Sequence, residues 1–261
     1  MDRLFSWFKH TARPGGIAGP CFVPKGEVVY AIGDIHGELR LLERLLDAIQ
    51  EDFRRNADSC HGTVIFLGDY VDRGEDSRGV VERLLQAPPP GFQYRFLAGN
   101  HEQALLNFLN DPRGGTAWLE FGGLATLLSY GVSVSAGQSS LSRLRMARDA
   151  FRQALPDSHL SFFSGLEKII VLGDYAFVHA GIWPGRSLDK QKVDDLLWIR
   201  SPFLESRAQH EKRIVHGHTI VEQVVIRDNR ISVDTGAYAT GRLSAVAFQG
   251  QDVRVLTATL R

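Results

Sequence analysis

The sequence predicts an α/β fold, and three observations carry that reading. Apolar, β-rich runs recur along the chain, each of the first three ends in glycine followed by Asp or Asn, and apolar residues at helical spacing follow. This repeated strand-loop-helix order is that of a sheet with helices laid against it.

The first strand is Glu27-Val28-Val29-Tyr30-Ala31-Ile32, leading into Gly33-Asp34-Ile35-His36-Gly37. Leu39, Leu42, Leu45, Leu46, Ile49 and Phe53 then recur at helical spacing, so the loop lies at a strand-to-helix junction. Such a junction aims the free N–H groups of a helix start toward the loop. The second strand, Thr63-Val64-Ile65-Phe66-Leu67, delivers Gly68-Asp69-Tyr70-Val71-Asp72-Arg73-Gly74. Two carboxylates and a guanidinium on a turn leaving a buried strand need partners there, and metal ions and an anionic ligand are the natural ones.

A helix is expected over 77–85, stopped by Pro88-Pro89-Pro90. The third strand, Tyr94-Arg95-Phe96-Leu97-Ala98, leads into Gly99-Asn100-His101-Glu102 and a helix reaching Asn110. Two later strand-like runs end in histidine, at His179-Ala180-Gly181 and at His216-Gly217-His218-Thr219. Ligands in α/β sheets gather outside the carboxyl ends of strands, so five segments supply Asp, His and Asn to one edge.

Residues 111–165 read as a helical insertion beside that edge, with short helices over 124–128 and 141–155. Covering the sheet and shaping a ligand pocket are both open roles for it. Strands follow over 169–172 and 176–178, joined by a tight turn at Asp174-Tyr175, and then over 230–234, 243–248 and 253–256. Residues 1–26, rich in Gly and Pro from residue 11, form an irregular lead-in to a single domain over 27–261. The opening aromatics, Phe5, Trp7 and Phe8, read as a turn packed on the domain in a stretch too short and charged to span a membrane.

At 261 residues and 44% hydrophobic content the chain can bury a large core. Thirty Lys plus Arg balance 30 Asp plus Glu, so no nucleic-acid partner is expected. Cys21 and Cys60 make no disulfide framework and fit a reducing, cytoplasmic setting.

These five motifs, in this order, resemble those of the phosphoprotein phosphatase family within the calcineurin-like metallophosphoesterases, and the later two resemble its bacterial members. The resemblance runs from about Val28 to Val246 and implies a four-layer sandwich, two mixed β-sheets flanked by helices. It implies that Asp34 and His36 bind one metal ion, that Asn100, His179 and His218 bind another, and that Asp69 bridges them. The donors are oxygen and imidazole without thiolate, which suits manganese, favoured here, or iron, zinc or magnesium. Hydrolysis is then expected by direct attack of a metal-bridging hydroxide on a phosphorylated protein or peptide, at serine, threonine or tyrosine.

His101, oriented by Asp72, is the candidate general acid. Arg73 and Asn100 are candidate phosphate contacts, and Arg200, in Leu196-Leu197-Trp198-Ile199-Arg200, resembles a second phosphate-binding arginine. The alternatives are a symmetrical diadenosine tetraphosphate hydrolase, against which Asp72 and Glu102 argue, and a non-catalytic scaffold, which should have lost ligands. His216 is open between a core residue and a group near the substrate, Asp234 reads as structural support, and His10, His61, His159 and His210 read as surface residues.

Overall fold

The computed structural model describes residues 19–57, 61–134 and 141–260. The opening aromatics, His10 and Cys60 lie outside the described residues. The elements run β1 Glu27–Ile32, α1 Leu39–Asn56, β2 His61–Phe66, α2 Ser77–Leu84, β3 Phe92–Phe96, α3 Asn100–Asn110, α4 Gly115–Trp118, α5 Leu124–Ser129, α6 Leu141–Ala154 and α7 Asp157–Ser164. They continue with β4 Ile170–Leu172, β5 Tyr175–Phe177, α8 Val193–Trp198, α9 Ser201–Leu204, β6 Arg213–His216, β7 Val225–Ile226, β8 Arg230–Ser232, α10 Ala237–Thr240, β9 Arg242–Gln249 and β10 Asp252–Thr259.

Two mixed five-stranded sheets result, ordered β10-β9-β1-β2-β3 and β4-β5-β6-β8-β7. Strands β1, β2 and β3 are parallel, as are β5, β6 and β8, and antiparallel strands edge both sheets. The alternation along β1 explains the layering. Val28, Tyr30 and Ile32 face Leu41, Leu42, Leu45 and Leu46 of α1, while Val29 and Ala31 face the second sheet. Between the sheets, Ile65, Leu67, Phe177, Val215, Ile231 and Phe248 form the central core. Outside the second sheet, Ala176, Val178 and Ile214 pack on Leu196, Ile199 and Phe203. The order is helix, sheet, sheet, helix.

Register brings the loops together. Ile32 pairs with Phe66 and Phe66 with Phe96, so three parallel strands end flush. In the second sheet Phe177 pairs with Val215, and His216 with Ser232. Every motif loop therefore leaves on the same side of the sandwich.

Some local expectations are corrected. The turn before β5 is Gly173-Asp174, with Gly173 at φ +57, and Tyr175 already pairs with Leu172. Helix α7 was not expected between α6 and β4. His159 and His210 are buried rather than on the surface: His159 bonds the Tyr130 hydroxyl through Nδ1 at 2.7 Å, and His210 packs against Phe203. Their segments gave no apolar periodicity to signal this. His61 is exposed as expected. Cys21 is a buried free thiol that joins Val23 in the central core, and the Val23 N–H donates to the Gly250 carbonyl at 3.2 Å.

Phe248 lies fully buried between the sheets, its ring centroid 4.6 Å from that of Tyr175 and 5.9 Å from that of Phe177. Phe248→Ala is expected to cost about 3–5 kcal/mol of stability, read as a lower urea midpoint, because the rigid sheets cannot close the cavity.

Candidate metal centre

Six strand-end residues, Asp34, His36, Asp69, Asn100, His179 and His218, are all buried, as is the neighbouring Asp234 after β8. Asp69 lies at the middle. Its Oδ2 is 3.5 Å from His36 Nε2, 3.4 Å from His179 Nε2 and 4.0 Å from His101 Nε2, and its Oδ1 accepts the His101 N–H at 3.0 Å. Two donor clusters share it: His36, Asp69 and His101 on one side, Asp69, His179 and His218 on the other.

Backbone carbonyls fix two of the rings. His36 Nδ1 donates to Val71 O and His179 Nδ1 to Leu67 O, both at 2.8 Å, which turns each Nε2 into the cleft. Asn100 Oδ1 stands 2.8 Å from His179 Nε2. His218 Nε2 is buried without any hydrogen-bond partner. An orphaned imidazole nitrogen facing a carboxylate cluster fits a divalent cation. Asp34 is turned differently: its carboxylate accepts the His218 N–H at 3.0 and 3.1 Å, so His101 rather than Asp34 completes the tight cluster around His36.

Electrostatics point the same way. Burial, then the neighbouring Asp234 and Asp69, push the Asp34 carboxyl well above its usual range. Burial pushes Asp234 up to about 6. Burial also opposes ionisation of Asp69, yet His179, His101 and His36 hold it well below the usual range. Burial lowers His36 to about 3 and His218 to about 2, keeping both rings neutral and able to act as ligands. Among the described residues, no lysine or arginine pairs with Asp34, Asp69, Asp234 or Glu102. Buried carboxylates without a cationic side chain call for a cation from solution.

Backbone strain gathers here. The non-glycine residues at positive φ are His36, Asp69, Asp72, Arg73 and His218 among the described residues. Such positions persist only where their surroundings over-determine them. Glu102, fully buried in the first turn of α3, is one such device: its carboxylate accepts the N–H of Asp69 at 2.9 Å, Tyr70 at 2.7 Å and Gly99 at 2.9 Å. Gly99 itself must be glycine, since a Cβ there would overlap the Asp69 carboxylate.

Beside the clusters, His101 Nδ1 donates to Asp72 Oδ2 at 2.6 Å, and Arg73 Nη2 donates to His101 Nε2 at 3.2 Å. Burial disfavours the His101 cation, but Asp69 and Asp72 outweigh it and raise the ring above its usual value. Arg73 Nη1 donates to the Tyr238 hydroxyl at 2.6 Å, and the guanidinium lies over that ring at 4.6 Å. Arg200 is exposed and donates to Thr219 Oγ1 at 3.1 Å, next to His218, whose cation its charge disfavours. His216 is a satisfied core residue, with Ser232 Oγ 2.9 Å from its Nε2.

The model of the calcineurin-like phosphoesterase family matches residues 28–248. The chain belongs to that family. Relatives of this phosphoesterase include serine/threonine-protein phosphatase 2 of Salmonella typhimurium, 28% identical over 83% of this chain and 90% of that one. Another is the asymmetrical bis(5'-nucleosyl)-tetraphosphatase PrpE of Oceanobacillus iheyensis, 27% identical over 83% of this chain and 87% of its relative. A solved structure described as a putative diadenosine tetraphosphatase covers 92% of this chain and 99% of its own with a TM-score of 0.60 at 23% identity, a likeness of fold. The serine/threonine phosphatase relatives support the phosphoprotein phosphatase branch of the family.

The sequence reading of this phosphoesterase missed four contributors: the Glu102 bonds, Tyr238 over Arg73, and Trp118 and Thr126 on Asp72. Glu102 alone had a signal, as the acidic third residue of a helix whose entering glycine N–H it accepts. For this donor set, adding Mn²⁺ to the chelated protein is expected to raise its melting temperature, by the equivalent of about 2.7 kcal/mol at a hundredfold excess over Kd. His218→Ala should remove much of that gain in calorimetry, and an undiminished gain would exclude His218 as a ligand.

Proposed function

We propose that this phosphoesterase is a metal-dependent protein phosphatase acting on phosphoserine, phosphothreonine or phosphotyrosine. The observation that carries the reading is the Asp72, His101 and Arg73 assembly beside the buried donor clusters. In this reading Asp34 and His36 would hold one divalent ion, Asn100, His179 and His218 would hold a second, and Asp69 would serve both. Manganese is the first choice, with iron, zinc or magnesium able to use the same donors. The bound ions would supply Lewis acidity and lower the pKa of water for attack on phosphorus.

The chain's own groups do the remaining work. Arg73 grips two phosphate oxygens through its planar fork, and Asn100 adds an amide donor at the same edge. Gripping phosphate takes the Arg73 N–H away from His101 Nε2, which frees that nitrogen to take up a proton from solvent, an uptake that burial opposes and that Asp69 and Asp72 favour. His101, held through Nδ1 by Asp72, then gives its Nε2 proton to the leaving oxygen of the serine, threonine or tyrosine side chain. Arg200, close enough to His218 to disfavour its cation, bonds Thr219 through Nη1, and a phosphate at this edge would compete with Thr219 for that donor.

No described helix is long and apolar enough to cross a membrane. The equal numbers of acidic and basic residues support a discrete phosphorylated substrate over a nucleic acid. The PrpE relative supports a second reading, hydrolysis of a dinucleoside tetraphosphate.

Phosphate release from phosphoserine, phosphothreonine and phosphotyrosine peptides should greatly exceed cleavage of diadenosine tetraphosphate by the Mn²⁺-loaded protein. The reverse ranking would transfer the assignment to the dinucleotide, and no turnover of either by the loaded protein would support a scaffold. Arg73→Ala is expected to weaken vanadate inhibition together with catalysis; inhibition at the parent concentration would remove the clamp from the mechanism.

A further inference from the structure

Asp72 is fully buried, and three donors converge on its carboxylate. His101 Nδ1 and Trp118 Nε1 donate to Oδ2 at 2.6 and 2.8 Å, and Thr126 Oγ1 donates to Oδ1 at 2.6 Å. The Thr126 hydroxyl also accepts the Asp72 N–H at 2.9 Å, a proton that Ser77 Oγ shares at 3.0 Å. Asp72 has φ +73, a conformation that costs a non-glycine residue of order 1–3 kcal/mol unless its surroundings enforce it. Thr126 therefore holds both the strained backbone and the side chain of one residue.

Both donors come from the segment beyond α3. Trp118, at the end of α4, is buried with ring centroids 4.8 Å from Phe108 and 6.2 Å from Phe151, so its indole N–H has little freedom to turn away. Thr126 lies on α5, fully buried against α2. Between them Gly122, at φ +117, accepts the Arg73 N–H at 3.2 Å, and a Cβ there would run into Arg73. One short stretch thus touches both consecutive residues of the Asp72-Arg73 pair.

We propose that Trp118 and Thr126 are positioning residues for proton delivery, acting through Asp72, and that the stretch 118–126 is thereby part of the acid machinery. The inference rests on the reading of His101 as general acid. An aspartate bonded only to His101 could rotate about its terminal torsion and carry the imidazole with it. Donors on both oxygens leave one carboxylate orientation, and Nε2 of His101 then faces the leaving oxygen without a search.

The test compares Trp118→Phe, Thr126→Val, Thr126→Ser and His101→Asn in the Mn²⁺-loaded full chain on phenyl phosphate, a poor leaving group, and 2,4-dinitrophenyl phosphate, an activated one. The low-field proton of His101 Nδ1 is followed by NMR in the metal-free protein. Thr126→Val and Trp118→Phe should lower kcat on phenyl phosphate about tenfold, the effect of losing a hydrogen bond to a charged group, with little change in KM or in the activated ester. Thr126→Ser should restore the rate, and the NMR resonance should move in Val and Phe but not in Ser. Equal losses on both esters, or an unmoved resonance with parental rates, would overturn the inference. If His101→Asn itself loses equally on both esters, the acid reading beneath it fails; if His101→Asn discriminates and the other variants do not, this inference alone fails.

Discussion

The Glu102 carboxylate is the interaction on which the rest of the site depends. It accepts backbone N–H groups from Gly99, Asp69 and Tyr70, so one side chain locks the loop after β2 to the loop after β3. That places Asp69 at the centre of the donor clusters and sets Asn100 and His101 on the turn that begins α3. Burial, then the Asp69 charge, raises the Glu102 pKa to about 7, and the amide donors of Tyr70 and Gly99 work in the opposite direction. Substituting a glutamine would keep the shape but put an amide NH₂ where an acceptor is needed.

The strained residues follow from this geometry. Six side chains have to converge from a row of strand ends, and an extended backbone would send alternate residues to opposite faces. A left-handed residue reverses the chain within one step, which is how His36, Asp69 and His218 are brought inward and Asp72 and Arg73 aside. Hydrogen bonds on the adjoining groups compensate that conformation: Val71 O holds His36, Thr126 and Ser77 hold Asp72, and Asp34 holds the His218 amide.

Much of this was legible in the sequence because it is local. Strand, glycine, then Asp or Asn is a short-range pattern that marked Asp34, His36, Asp69 and Asn100, and strand-like runs ending in histidine marked His179 and His218; the four-layer order followed from the family resemblance that these motifs carry. Contacts between distant segments were not legible. Trp118 and Thr126 reach Asp72 across 46 and 54 residues and Tyr238 reaches Arg73 across 165, and none of the three belongs to a periodic or charged motif. The two buried histidines, His159 and His210, failed for the related reason that histidine carries no hydrophobic signal, and tertiary packing alone decides its exposure.

Arg73 is already engaged at both ends of its fork, on the Tyr238 hydroxyl and on His101 Nε2. On the proposed reading, phosphate would therefore arrive by exchange and not by simple addition. The guanidinium stays ordered between visitors, so little of its side-chain entropy has to be surrendered on binding, while part of the attraction is spent undoing the resting contacts. An anion that merely sits near the cleft leaves the imidazole occupied; only one that draws the guanidinium across releases it. If His101 is the acid, the resting bond would work as an interlock, tying readiness to give up a proton to the presence of something that needs one.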